Sequence, residues 1–461
     1  VHSSILAVTT FCVCFAVSVL CAVTLAERNG RKAVVLFAVA GVFIACVKIW
    51  LFRQAPQWLD TPLDAQKYQL HAQALAAHWQ GVPVSARLYQ LVGLSALRSE
   101  DWWLPGVDIA YSSVLGTHEW IYAAYLAVWA SVAPDWPTWA AYSNGALAAL
   151  FPAGAYGIAR GLGSSAKVAT LAGGIALVDP SAAVNGAWLL KDTLASWCVV
   201  VALWATVGLI SRPRISLFFV LGASLGMLGA VRFMAMMVVL IALVPLLPVF
   251  VAQRRIALSG GLLVASLCGL FLFHLLNAFP GVESDWLRPF GLVSGILAGQ
   301  ADTLTASAVG GGGASAVDST VSDWYELVSE SPLRAIVTGI ARTLFAPYPW
   351  VMITDGLDSR NGVELYYPGV LLWIICLPGI FWAIWLYLRN PCLPAIFIGL
   401  VIGGCLLAYL VFMGEWSTRQ RVFMLPVFFS LAAIGWVDLT QRVRSRTLHS
   451  ASTFRSTDSE L

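Results

Sequence analysis

Apolar stretches of about 20 residues recur along this chain, enough for a helix rising about 1.5 Å per residue to cross a hydrocarbon core about 30 Å thick. No other feature narrows the fold so far. Of the 461 residues, 59% are hydrophobic and only 11% charged, with a mean hydropathy of +0.79, whereas soluble domains carry about a quarter charged residues. A soluble globule is excluded, and the chain reads as an all-α polytopic membrane protein. The net charge of +3 comes from Arg and Lys at segment ends and not from a basic block, so nucleic acid is not an expected partner.

Hydropathy places spans near 4–26, 33–52, 138–159, 168–189, 193–211, 215–231, 233–252, 256–279, 367–388, 394–413 and 422–438, eleven in all. The run 119–133, EWIYAAYLAVWASVA, is too short to cross and reads as an interfacial or re-entrant helix. Charge tests this count. With eleven spans, one side collects 14 of the 27 basic residues and four of the 24 acids, while the other collects 19 acids and 12 basic residues. Cytoplasmic loops are rich in Lys and Arg, which puts the N-terminus outside and the C-terminus inside a plasma (inner) membrane. Counting 119–133 as a span would move Arg160, Arg212 and Arg254 outside.

Residues 1–438 then form one transmembrane domain with exterior loops 53–137 and 280–366, and the polar segment 439–461 reads as a disordered cytoplasmic tail. The N-terminal run lacks a basic leader and a small-residue cleavage site and reads as a retained span. All nine cysteines except Cys392 lie in apolar runs, with neither a disulfide framework nor zinc spacing. The GGGG at 310–313 follows no strand and precedes no Lys-Ser or Lys-Thr pair, so it reads as a linker, followed by an amphipathic helix near 320–345.

Four groups of residues can carry chemistry. Asp60 and Asp64 open the first exterior loop in WLDTPLDAQKYQLHAQALAAHW, where Asp64, Tyr68 and His71 would share one face of a helix on the membrane surface. A carboxylate there can act as a general base toward an acceptor hydroxyl, or be an ordinary solvated acid. In WLLKDTLASW, Lys191 can hold a phosphate while Asp192 pairs with it or caps the next helix; a cap plus a snorkelling lysine is the plainer alternative. Arg419 and Arg421 precede the last span, and Arg232 interrupts GAVRFMAMM. Exterior arginines run against the charge bias, and their forked guanidinium groups suit phosphate oxygens, although lipid head groups can also draw them. Finally, Lys48 and Asp179 fall inside spans, where charges are costly. Lys48 can snorkel outward, and Asp179-Pro180 suggests a broken helix that satisfies its own freed carbonyls.

His118 is also exterior, but no histidine cluster with metal spacing occurs. The exterior carboxylates leave room for a divalent cation recruited with a donor phosphate.

These elements, in order, resemble the GT-C superfamily of integral membrane glycosyltransferases, which use polyprenyl-phosphate-linked sugars. The resemblance rests on Asp64-x-x-x-Tyr68, GTHEWIYAAYLAVW, LLKDTL and TRQRVFMLPVFFSLAAIGW. It implies about eleven to thirteen helices with exterior amphipathic helices, and transfer of a sugar to a glycan, lipid or protein acceptor on the extracytoplasmic face. Carried over by position, Asp64 is the first choice for the base and Asp60 the second. Lys191, Arg232, Arg419 and Arg421 are the candidates for binding the lipid phosphate, with Tyr68, Asp192 and His118 in support. Two other readings stay open: an O-antigen-type polysaccharide polymerase or ligase, which would lean on the exterior arginines, and a transporter or lipid flippase, for which no internal repeat is evident.

Overall fold

The computed structural model describes residues 2–54, 65, 68–69, 72–73, 75–76, 79–80, 120–277, 330–345, 367–413 and 421–457. Every regular element among them is helical: α1 (His2–Leu25), α2 (Arg31–Arg53), α3 (Trp120–Val132), α4 (Trp136–Ala148), α5 (Leu150–Gly161), α6 (Ala166–Val178), α7 (Ser181–Ala187), α8 (Asp192–Ser211), α9 (Ile215–Leu243), α10 (Leu246–Ala252), α11 (Ile256–Asn277), α12 (Pro332–Phe345), α13 (Tyr367–Arg389), α14 (Leu393–Met413) and α15 (Leu425–Thr457), with 3-10 turns at Arg28–Gly30 and Val422–Met424.

Nine helical segments among the described residues are long and apolar enough to cross a membrane, so the chain is a polytopic helical membrane protein. Eight of the expected spans correspond to one such segment each. The other three differ. The expected span 138–159 is built of α4 and α5, with 13 and 12 residues, meeting at Ala149. The expected pair 215–231 and 233–252 forms one helical stretch, Ile215–Ala252, of 38 residues.

That stretch cannot run straight. At the start of α11 a Cβ on Gly261 would come within 2.6 Å of the Phe218 ring, while Ser259 Oγ donates to the Leu247 carbonyl at 3.2 Å. Phe218 and Leu247 therefore lie at the same level, yet on a straight helix they would be about 43 Å apart. The reversal falls at Arg232, whose backbone (φ −151°, ψ 81°) leaves helical geometry in the middle of α9. Gly222 lies against Ala265 and Gly226 against Leu272, so the first half of α9 runs parallel to α11; Gly404 lies against Val238, beside the returning half.

The contacts sort the helix ends into two groups. At one end Glu27 meets Arg160 at 3.8 Å and Arg212 at 3.9 Å, Arg214 donates to the Leu25 carbonyl at 3.2 Å, and Arg255 donates to that of Ile210 at 3.2 Å. Tyr387 reaches the Leu162 carbonyl at 3.1 Å. The loops expected to be cytoplasmic thus share one end. Lys191, Arg232 and the start of α15 share the other.

Two further expectations meet the structure. The short run after residue 119 is a 13-residue helix packed antiparallel to α4, with the Tyr125 hydroxyl bonded to Ser143 and Tyr122 to Asn144. By contrast, α15 continues to Thr457, so most of the segment 439–461 expected to be disordered is helical. Polarity does not break a helix. The extension holds neither Gly nor Pro, and Arg442 Nε bonds Asp438 Oδ2 one turn back at 2.6 Å, with Trp382 Nε1 on the same carboxylate at 2.8 Å.

Where α13 crosses α15, backbones touch through small residues, a common feature of helix packing in lipid. A Cβ on Gly435 would fall 1.8 Å from the Gly379 carbonyl oxygen, whereas one on Gly399 would meet nothing within 4 Å. Gly435→Val is expected to destabilise the protein by at least about 1–3 kcal/mol through overpacking. Gly399→Val leaves thermal unfolding in detergent near wild type.

Candidate functional site

At the end opposite Glu27, three helix interruptions bring polar side chains together. The first is the turn from α7 to α8. Leu190 N–H bonds the Asn185 carbonyl at 3.0 Å and Leu189 N–H bonds that of Gly186 at 3.2 Å, a helix-ending pattern whose left-handed position is normally glycine. Here Leu189 occupies it, with φ +57°, at a cost of about 1–3 kcal/mol. The turn delivers Lys191 and makes Asp192 the first residue of α8.

The second interruption is the reversal at Arg232. Its guanidinium donates to Asp192 Oδ1 and to the Tyr409 hydroxyl of α14, and lies 5.6 Å from the centre of the Phe423 ring. Asp192 is 1% exposed and the Arg232 side chain 15%. A buried pair of this kind contributes little net stability, because two desolvation penalties offset its attraction, but removing one partner is costly.

The third is the hairpin of α3 and α4. Tyr68 is buried, sets its ring edge-on to Tyr122 at 5.3 Å, and lies 6.0 Å beneath Lys191 Nζ, the outer limit of a cation–π contact. Asn144 Nδ2 donates to the Tyr122 hydroxyl and to the Gly186 carbonyl, both at 3.1 Å. That amide ties the hairpin to α7, one turn before Leu189. Asn144 Oδ1 is buried and has no hydrogen-bond partner among the described residues.

Of the residues expected from the sequence, Tyr68, Lys191, Asp192 and Arg232 are brought together. Arg421 has other contacts. Its guanidinium donates to the Thr343 carbonyl and lies 4.6 Å from the Trp373 ring centre, on the side of α12 and α13. Asp60, Asp64, His118 and Arg419 lie outside the described residues. Tyr409 and Asn144 were not anticipated. Tyr409 lies in the apolar α14 and Asn144 follows Ser143 in α4, and a strongly polar amide inside a span is a signal for interhelical hydrogen bonding.

The charged groups within the spans form a second cluster. The helix is broken between α6 and α7, as Asp179-Pro180 suggests, and Asp179 accepts from Ser181 N–H at 3.1 Å and Ser181 Oγ at 3.0 Å. Lys48 does not turn outward. Its ammonium donates to the carbonyls of Leu177, Val178 and Asp179 at 2.7, 3.0 and 2.6 Å, because in lipid nothing else can satisfy the end of α6. A small recess adjoins it, lined by Gly41, Phe151, Pro152 and Ala183 among others. With all three ammonium donors engaged, Lys48 serves the helix break before any ligand.

No group of three or more His, Cys, Asp or Glu side chains able to hold a metal ion occurs among the described residues. The arrangement at Lys191 and Arg232 suits an anion: two cations and a single buried carboxylate, with the guanidinium fixed by Asp192 and Tyr409.

The ion pair allows a direct test. Arg232→Leu takes the guanidinium from the buried Asp192 carboxylate and is expected to cost about 3–5 kcal/mol, as is Asp192→Leu, whereas the double variant recovers most of that loss; thermal unfolding of the three variants measures the coupling. In comparisons with known proteins, no family model and no curated protein matches the chain.

Proposed function

We propose that the chain is a membrane glycosyltransferase of the GT-C type, moving a sugar from a polyprenyl-phosphate donor to a hydroxyl of a glycan, lipid or protein acceptor on the extracytoplasmic face. The membrane is crossed eleven times, with α4–α5 as one crossing and Ile215–Ala252 as two. The Glu27 end, which gathers Arg160, Arg212, Arg214 and Arg255, faces the cytoplasm by its basic excess. The Lys191 end faces outward.

One observation carries the reading. Tyr68 lies one helical turn beyond Asp64 in the sequence and is buried against Tyr122 beneath Lys191. Tyr68, from the same loop segment as the candidate base, lies against Lys191, whose neighbour Asp192 pairs with Arg232. Such a juxtaposition is what transfer from a lipid phosphate needs.

In the reaction, the acceptor oxygen attacks the anomeric carbon as the bond from that carbon to the phosphate oxygen breaks. Asp64, with Asp60 as the second choice, takes the acceptor's proton. The electron pair of the broken bond leaves with the lipid phosphate, where Lys191 and Arg232 stabilise the developing charge. Phosphate is a competent leaving group without an acid. Arg232 is held rigid by its pair with Asp192, so its field is preorganised, and Lys191 supplies the point charge. Arg419 is assigned to the same phosphate on sequence grounds, while Arg421 backs the rim from the side of α12.

Asp64→Asn is expected to abolish turnover of a radiolabelled polyprenyl-phosphate sugar while expression, membrane insertion and thermal unfolding stay at wild-type levels. Normal turnover by that variant rejects Asp64 as the base. If Asp64→Ala retains activity and Arg419→Ala loses it in an assay of polymer length, the reading moves to a polymerase or ligase. Accumulation of substrate in proteoliposomes without covalent change moves it to transport.

A further inference from the structure

The helix α12 has three distinct faces. Ala335, Gly339 and Thr343, spaced by four, are buried against the bundle. Next to them runs an apolar stripe, Leu333, Ile336, Val337 and Ile340, that no described residue covers: Leu333 is 74% exposed, Val337 58% and Ile336 49%. The remaining face carries Arg334, Thr338 and Arg342. A helix wholly in water would present a polar second face, and a helix crossing the bilayer would be apolar all round. Three faces in this order suit a helix lying along a boundary, with protein behind it, hydrocarbon below and water above.

The bundle fixes its level. Trp373 Nε1 donates to the Leu344 carbonyl at 2.8 Å, and Arg421 donates to the Thr343 carbonyl. These are last-turn carbonyls, which lack partners within the helix, and a cation is favourable there. Trp373 lies six residues after Tyr367, the first residue of α13, about 9 Å along the helix. Arg421 immediately precedes the 3-10 turn that opens the last helix. The C-terminus of α12 is thereby clamped within about two turns of the start of α13, at the Lys191 end of the bundle. Beside α12, α14 presents exposed Leu400 and Leu407, so its stripe continues a surface that already faces hydrocarbon.

We propose that α12 is a lipid-docking element. Its stripe of Leu333, Ile336, Val337 and Ile340 inserts among the acyl chains of the leaflet at the Lys191 end, Arg334 and Arg342 sit at the level of the lipid phosphates, and Arg421 is the clamp that sets the rotation of the helix. The partner is the bilayer itself. The inference is independent of the sugar-transfer reading, since it concerns where the helix lies and not what is turned over nearby.

The test uses the full chain in vesicles of phosphatidylcholine and phosphatidylglycerol, with the photoreactive residue benzoylphenylalanine placed singly at Val337, Ile340, Thr338 or Arg342. All four positions lie on exposed or partly exposed parts of α12, so folding is retained. After irradiation, mass spectrometry is expected to find lipid adducts at 337 and 340 and none above background at 338 and 342. Equal lipid labelling at all four positions, no lipid labelling at 337 and 340, or adducts there with a second copy of the chain each overturn the proposal. In Arg421→Gln the face selectivity is expected to fall, with lipid adducts now at 338; undiminished selectivity there overturns the role of Arg421 as the clamp.

Discussion

A carbonyl at the end of a helix inside a bilayer has no water to bond, and this bundle is arranged around the side chains that meet that need. Lys48 serves three carbonyls at the end of α6. Arg421 and Trp373 serve two at the end of α12, Asn144 serves Gly186 in α7, and Arg214 and Arg255 do the same for α1 and α8. A hydrogen bond of this sort is worth only about 0.5–1.5 kcal/mol net in water. In hydrocarbon the alternative is an unsatisfied group costing several kcal/mol, which makes each pairing a constraint on where the helix may stop.

Those stops place the site. Because the chain halts at Asp179-Pro180 and again at Leu189, α8 begins just where Asp192 can meet Arg232, and Arg232 is available only because α9 reverses there. Neither residue would be tolerated in the middle of an uninterrupted span. The pair in turn fixes the apex of the hairpin against α8, and Tyr409 ties that apex to α14. Asn144 couples the same turn to the hairpin that carries Tyr122. Polar residues that look separate in sequence are therefore one mechanical unit.

Much of this was legible in the sequence, and the failures have physical causes. Span positions follow from composition, since a run such as 256–279 has few other places to go. Hydropathy ended one span at 231 and began the next at 233, and the chain reverses at Arg232 between them; the bias of Arg and Lys grouped the loop ends. The break at Ala149 was not anticipated, although Pro152 marks it, since it has no N–H for the Ala148 carbonyl one turn back. The helical extension past Asp438 was missed because a polar Ser- and Arg-rich stretch reads as unstructured, although no residue in it opposes helix formation. For the site, Lys191, Asp192 and Arg232 stood out as charges in apolar surroundings. Their partners did not. Asp192 and Arg232 are 40 positions apart, and Arg232 and Tyr409 are 177 apart, so pairing depends on how helices pack, which periodicity does not encode. The same holds for Arg421, whose contacts with the Thr343 carbonyl and the Trp373 ring join segments far apart in sequence.

The two ends of the bundle also differ in how their charges behave. At the Glu27 end the pairs are long, and the Arg212 side chain is 71% exposed, so salt screens them and each is worth little. Arg232 and Asp192 are shielded from solvent, and salt reaches them far less. A guanidinium held that way cannot swing toward an incoming anion, and it need not. Its position is set by Asp192 and Tyr409, and a fixed dipole or ion costs no reorganisation when negative charge arrives. The exposed end is suited to setting orientation in the membrane by sheer number of cations, whereas the buried end has few cations whose positions are determined, which is the property a binding or reacting site requires.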